Sequence, residues 1–508
     1  MFKILRYEKY NKKGIVKIIC IAILITIAVA YLFTIHVAGL LKSKSYQQLW
    51  SINLPYKSLL NFIGDINADG YNEIIISTDN DILILNATNG RVIKELNILK
   101  YNNKSSMWSI IAIIDVNIDK KADMIILSRY MIEYEEKSYI IYKIFCISSD
   151  NGDLLWISEY NVTDNLYLPK YNIINVNDDE VPDLIFYVSG FLYVIDCKNG
   201  SLIWKRQIEN ENYLILTGDT NGDGNLEVIL MSAHSVYCFS IKSGKLYWNI
   251  KLSSIDDTYV YVRASIYDVD SDGNEEIIYA TSDGHVGCID TENNNPNHIW
   301  KNIITNGLYR LKIINVKDGM IGLLVFTNKG MYFLDSSNGS LLWTCSFHIV
   351  FDETDDINND GIVEILGGDN TTFYYISAID GNVIYTYNPN VESLLSKVYN
   401  SDISSLKVTI HTSIIWLLPK VYDINNDNNK EIIVVAKVTK YNKNGNFVII
   451  LNNRGQELGV TYIDSNTLVQ DTQYIDIDGD GVVEVVLLNR DINPYPFSES
   501  HLYVFKYT

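Results

Sequence analysis

Asp219-Thr220-Asn221-Gly222-Asp223-Gly224-Asn225-Leu226-Glu227 is followed directly by Val228-Ile229-Leu230-Met231. In the first segment Asp, Asn and Asp stand at positions 1, 3 and 5, Gly at 6 and Glu at 9. That spacing sets several hard oxygen donors around one tight turn, and Gly accepts the positive φ such a turn needs. The second segment is a short apolar run bounded by turn residues and predicts a buried strand. One copy would be a weak signal, but the pattern recurs along the whole chain.

Nine copies align. The first is Asp65, Asn67, Asp69, Gly70, Glu73; the second is Asp115, Asn117, Asp119, Asp123, without the Gly. The third, Asn175, Asn177, Asp179, Asp183, has lost its leading acid. After the fourth, quoted above, comes Asp268, Asp270, Asp272, Gly273, Glu276. At the sixth place, Asn315-Val316-Lys317-Asp318-Gly319, the donor pattern has decayed and a Lys holds position 3. The seventh is Asp356, Asn358, Asp360, Gly361, Glu364, and the eighth Asp423, Asn425, Asp427, Glu431, with Asn428 for Gly. The ninth is Asp476, Asp478, Asp480, Gly481, Glu484. First positions lie 41 to 67 residues apart.

Each loop opens a set of strand signals. After the fourth these are 227–232, 235–241, a turn at Lys242-Ser243-Gly244, and 245–252; the third repeat reads 184–188, 191–196, Asn199-Gly200, 201–208. The strand leading into the next loop makes four per repeat. Short strands with such regular turns predict an all-β propeller of about eight or nine four-stranded blades. The sixth repeat keeps its strands without its loop, so the blade is the unit and the loop is dispensable.

A Gly four residues before a Trp marks the outer half of the blades: Gly152 and Trp156, Gly200 and Trp204, Gly244 and Trp248, Gly339 and Trp343, with Tyr385 in the Trp place after Gly381. A Trp there buries a large apolar face between neighbours while its N–H needs a partner, which predicts a lock between adjacent blades. An exposed row for stacking a ligand is the alternative. The last repeat, ending after residues 501–507, lacks an outermost strand, and Gln48-Leu49-Trp50-Ser51-Ile52-Asn53-Leu54 has the missing Leu-x-Trp form. It is expected to complete that blade and close the ring, removing two exposed edges.

Ahead of this body the chain is basic and then apolar. Lys3, Arg6, Lys9, Lys12, Lys13 and Lys17 precede residues 18–41, which carry no Asp, Glu, Lys or Arg. A helix of that length crosses a bilayer core of about 30 Å, with the basic flank of residues 1–17 on the cytoplasmic side. Residues 18–41 are therefore expected to form an uncleaved signal-anchor helix, and 42–508 a domain outside the cytoplasm; a cleaved leader ending near Ala28-Val29-Ala30 is the alternative. Six Asn-x-Ser/Thr sequons, at Asn86, Asn103, Asn161, Asn199, Asn338 and Asn370, agree with that side.

The 508 residues carry a net charge of −20, and the first 17 contribute +5, leaving an acidic body of −25. Such a body repels nucleic acid, and its charge is gathered in the Asp-rich loops, which suits cations. Tyr is abundant (37) and Pro scarce (8), as strands prefer. No stretch beyond the N-terminus shows a sustained helical period. Of six Cys, Cys146, Cys238 and Cys288 take one place in successive repeats and read as small core residues, with one or two disulfides as the alternative; none has metal-type spacing.

The Asp-x-Asn-x-Asp-Gly-x-x-Glu loop and its strand resemble the FG-GAP/VCBS repeats of integrin α-chain propellers, and the Gly-x-x-x-Trp segments, led in two copies by Asp196 and Asp335, resemble the docking motif of pyrroloquinoline-quinone-type propellers. Resemblance covers residues 46–508 and implies a propeller with calcium in its loops. Phe-Gly and Gly-Ala-Pro segments are mostly absent, as is an adjacent Cys pair of the quinoprotein-dehydrogenase kind.

From the residues themselves, carboxylate and amide oxygens at 1, 3 and 5, a carbonyl at 7 and a carboxylate at 9 suit a flexible oxygen shell for Ca2+. Without His or Cys, zinc and copper are disfavoured. The predicted ligands are those at positions 1, 3, 5 and 9 of the first, second, fourth, fifth, seventh, eighth and ninth loops. The third is a weaker candidate and none is expected at the sixth. A solvated Asx-turn would use the same residue types. The seven His are scattered, and no nucleophile elbow or phosphate-cradling loop occurs. The expectation is a membrane-anchored, extracytoplasmic scaffold for adhesion or assembly that binds another protein or a surface glycan. A quinoprotein-type oxidoreductase with its cofactor in the central channel is the alternative.

Overall fold

The computed structural model describes residues 45–55, 57–101, 107–134, 137–162, 169–209, 211–252, 260–304, 307–317, 319–349, 352–399, 412–424, 427–440, 443–464, 467–491 and 499–508. The expected membrane helix at 18–41, the basic segment before it, Asn103 and Asn425 lie outside these. Among the described residues, no helix is long and apolar enough to cross a membrane.

Nine four-stranded antiparallel sheets follow one another along the chain, so the blade number is nine. Eight sheets are built from consecutive strands. In the fourth blade these are Leu214–Gly218, Glu227–Met231, Ser235–Ser240 and Leu246–Lys251. Each second strand has a buried apolar run, which follows the closing acid in Glu227–Met231 and Asp183–Val188, because it has a blade on either face. In the ninth sheet, Tyr46–Leu54 is the outermost strand and pairs with Ser500–Tyr507, Gln47 opposite Lys506 and Trp50 opposite Val504.

Buried side chains form nine clusters, each shared by two consecutive blades. One joins Ile74 and Ile76 of the first blade to Val486 and Leu502 of the ninth. The core is thus a belt of blade-to-blade layers, and no blade buries its faces alone.

Two local features depart from the sequence reading. A helix forms over Val391–Tyr399, burying Leu394 and Leu395 in the layer between the seventh and eighth blades. Nine residues are too few turns to show a sustained period, and tertiary packing supplies the helix's stability. At the sixth place the strands Leu308–Lys317 and Met320–Thr327 continue through the decayed loop, with Lys317 paired to Met320. The turn has shortened to a hairpin while the blade is intact.

Candidate metal centres

The Asp-rich loops join the innermost strand of each blade to its second strand, so they share one end of the ring. In the fourth, Asp219 Oδ2 accepts from Gly224 N at 2.9 Å, and its Oδ1 from Gly222 N and Asp223 N. Asn221 Oδ1 accepts from Asp223 N, and Asp223 Oδ1 from Asn225 N. Glu227, fully buried at the start of the second strand, reaches back to accept from Thr220 N at 3.0 Å. Both Gly222 (φ 73°) and Gly224 (φ 81°) are left-handed. Position 4 thus carries the same demand as position 6, a constraint the residue spacing did not reveal. Ala68, Ile118, Ser271 and Asn359 meet it at position 4 without being Gly.

Every loop with a leading acid repeats this frame. The first residue accepts from the N–H of position 6 at Asp65–Gly70 (2.8 Å), Asp115–Lys120 (2.7 Å), Asp268–Gly273 (3.2 Å), Asp356–Gly361 (2.8 Å), Asp423–Asn428 (2.8 Å) and Asp476–Gly481 (2.9 Å). The closing carboxylate accepts from the N–H of position 2 at Glu73, Asp123, Glu276, Glu364, Glu431 and Glu484. The third loop keeps the closing bond from Val176 N to Asp183, those from Asp179 N to Asn177 and Val181 N to Asp179, and that from Asp178 N to Asn175, but where the leading acid accepts from position 6 elsewhere, the Asn175 amide donates to the Asp179 carbonyl. Loss of the leading acid has changed the turn.

The oxygens left over suit a hard cation. Asp123 is fully buried, and its Oδ1 has no hydrogen-bond partner. A buried carboxylate oxygen without a donor is costly unless a cation faces it. In the fifth loop Asp268, Asp270 and Glu276, and in the ninth Asp476, Asp478 and Glu484, bring one oxygen each to within 4.8 Å of one another. In the fourth and seventh, Asn221 and Asn358 turn their amide nitrogens toward Glu227 and Glu364 at 3.1 and 3.2 Å. Burial pushes the carboxyls of Glu73, Glu227, Glu276 and Glu364 up to about 7; the backbone N–H each accepts opposes this and the loop aspartates reinforce it. Asp123 and Asp183 rise to about 6 for the same reasons. Such shifts mark functional sites in general, but near-identical copies in successive blades argue for a repeated structural task.

The loops also hold one another. Glu275, at position 8 of the fifth, donates its N–H to the Asp219 carbonyl at 3.1 Å, and its Oε2 accepts from Asp219 N at 2.9 Å. Position 8 does the same elsewhere: Asn72 reaches the Asp476 and Ile477 carbonyls, Ala122 N the Ile66 carbonyl, Val363 N the Val316 carbonyl, and Lys430 the Asp356 carbonyl. Each contact crosses from one blade to the one before it.

At the outer edge the tryptophans do likewise. Trp156, Trp204, Trp300 and Trp343 donate their indole N–H to carbonyls of the following blade, at Cys197, Ile241, Ser336 and Ala378, over 2.7–2.9 Å. Trp50 does so to Ala87 of the first blade at 3.0 Å. With 7–8% exposure, Trp156, Trp204, Trp248, Trp300 and Trp343 are no stacking row for a ligand. A β-bulge just before each aims the indole into the junction, and Cys146, Cys238 and Cys288 stand opposite Trp156, Trp248 and Trp300, where a small side chain leaves room. These thiols are buried, unbridged and pushed up by burial, so they are inert. Trp300 escaped the Gly-to-Trp spacing because Pro296 stands where the Gly would be; strand register alone reveals it.

The family model described as outer membrane protein assembly factor BamB matches residues 143–344. That span runs from the third strand of the second blade to the outermost strand of the sixth and holds the five tryptophans just named from 156 to 343. No curated protein matches the chain. Among solved structures, dihydro-heme d1 dehydrogenase NirN in complex with DHE is similar at 9% identity, over 72% of this chain and 72% of its own, with a TM-score of 0.41. The Vibrio cholerae (V. cholerae) biofilm matrix protein Bap1 is similar at 15% identity over 89% of this chain and 76% of its own, with a TM-score of 0.29. The WD40 domain of SCAP from fission yeast is similar at 10% identity over 68% of this chain and 97% of its own, with a TM-score of 0.37.

Proposed function

We propose that this chain is a calcium-stiffened propeller that serves as a rigid binding scaffold for another protein outside the cytoplasm, tethered by residues 18–41. The observation that carries the reading is the set of contacts from position 8 of one loop to the turn before it, made by Asn72, Ala122, Glu275, Val363 and Lys430. The recurrent polar chemistry is spent on joining blades, and a cation in each complete loop would neutralise its carboxylates and stiffen that joint. Pairing of Tyr46–Leu54 with Ser500–Tyr507 serves, in this reading, to close the ring next to the anchor. The assembly-factor description of the matching family supports a protein as partner.

The test uses the full-length protein in detergent and in its native membrane. Melts with calcium and with chelator are compared, and chemical crosslinking identifies neighbours in the membrane. A lower midpoint in chelator, together with a specific crosslinked neighbour lost on chelation, is expected. An unchanged melt ends the calcium part; saturable uptake of pyrroloquinoline quinone with oxidation of an alcohol or sugar ends the scaffold part.

A further inference from the structure

The fifth and ninth loops have the same acids, Asp at 1, 3 and 5 and Glu at 9, converging in the same way. They differ in what faces them from the third strand. Opposite the closing acid that strand carries Asn86 against Glu73, Ser148 against Asp123, Ser240 against Glu227 and Ser377 against Glu364. These are short polar residues that begin the turn to the outermost strand; Gly90, Gly152, Gly244 and Gly381 each donate an N–H back to their carbonyls. In the fifth blade the place one step past the Ile277–Ile289 pair is held by Asp290, which adds a further negative charge beside Asp270.

In the ninth blade the same place, one step past Val485–Phe505, is Lys506. No turn has to start there, because Tyr46–Leu54 from the other end of the chain supplies the outermost strand. The ammonium lies 2.6 Å from Asp478 Oδ2, 2.8 Å from Asp480 Oδ2 and 3.2 Å from Glu484 Oε1. Its side chain is 15% exposed. The three acceptors are positions 3, 5 and 9 of the loop, the ones a cation would engage. The ammonium donates a hydrogen bond to Asp478 and forms ion pairs with Asp480 and Glu484. Lys506 also lies on the strand that pairs with Gln47, so the cage sits at the seam between the two ends of the chain.

We propose that Lys506 is a built-in cation for the ninth loop: its Nζ occupies the cage in place of a divalent ion, so the seam between the chain's ends is held without metal while the other complete loops take calcium. The contrast with those loops rests on the calcium reading above; occupation of the cage by the ammonium does not.

Bound calcium is counted by equilibrium dialysis of the full-length protein in detergent, with calcium as the only added metal. Glu276→Gln in the fifth loop should remove one ion per chain, and Glu484→Gln in the ninth should leave the count unchanged. Lys506→Met, which keeps the apolar stem, should add one ion. A count that falls by one with Glu484→Gln overturns the proposal, and this holds even if Lys506→Met does not fold. If neither the wild type nor any variant binds calcium, the calcium reading fails by itself, and melts of Lys506→Met, Glu484→Gln and the double variant decide about the lysine. Glu484→Gln should lower the melting temperature less in the Lys506→Met background than in the wild type; additive losses overturn the proposal.

Discussion

The indole N–H of Trp204, on the outermost strand of the third blade, donates to the carbonyl of Ile241 in the fourth at 2.7 Å. A Cβ built on Gly244, three residues further, would stand 2.6 Å from the same ring. One side chain thus engages the next blade by both a hydrogen bond and a close backbone approach, and Gly244 is left-handed besides, at φ 61°.

Trp204→Ala should destabilise the propeller by about 3–5 kcal/mol, through lost burial and an unsatisfied buried carbonyl. Gly244→Ala should cost about 1–3 kcal/mol from steric overlap and backbone strain together. Trp248 gives an internal control, since its buried indole N–H has no partner among the described residues. Trp248→Phe should therefore cost about 1 kcal/mol less than Trp204→Phe in urea unfolding. Equal losses would show that the hydrogen bond adds nothing.

Chelation should lower the melting temperature, and Glu227→Gln should remove part of that sensitivity. A loop saturated at a hundredfold excess over its Kd contributes about 2.7 kcal/mol. Lys317→Ala, in the hairpin that replaces the sixth loop, should leave the calcium response unchanged. Differential scanning calorimetry with and without chelator checks both.

Burial raises the carboxyls of Glu73, Glu227, Glu276 and Glu364 from the ordinary 4.5 to about 7 in the folded, metal-free chain. For an acid raised on folding, the favourable contribution is fully present below the unfolded value and is lost as pH climbs through the folded one. The metal-free protein should thus lose stability between about pH 5 and pH 8, and saturating calcium should flatten that slope by favouring the ionised form. Melts across this range decide, and a metal-free protein that gains stability from pH 5 to 8 would contradict the assignment.

Lys120 holds position 6 of the second loop at φ 71°, where the first, fourth, fifth, seventh and ninth loops have Gly. Asn tolerates this conformation better, so Lys120→Asn should stabilise by roughly 0.5–1 kcal/mol. Conversely, Gly224 has open space around its would-be Cβ, so the penalty of Gly224→Ala is purely conformational, about 1 kcal/mol. A larger loss than that would point to disruption of the loop itself.

The repeat, the four strands of each blade and the loops were legible in the chain because each depends on residues close in sequence. Asp219, Asn221 and Asp223 accept from N–H groups two to five positions on, and Gly244 donates to the Ser240 carbonyl within its own turn. Local spacing therefore determined the blade and its loop, as at Asp219–Glu227. It also showed, through the decayed sixth copy, that a blade can stand without its loop.

Tertiary structure decided what lies across a strand or a blade boundary. Trp300 joins the other tryptophans although no Gly precedes it, because its place follows from pairing with Cys288. Position 8 is a link only because the preceding loop's carbonyl lies beside it, as Asp219 lies beside Glu275. Lys506 is 22 residues from Glu484 with an unremarkable sequence around it, and only strand register sets its ammonium among three carboxylates. Register and blade order are properties of the packed core, where a shift of one residue would move every side chain of a strand to the opposite face of its blade. Short-range chemistry wrote the repeat; that long-range constraint assigned each copy its own role.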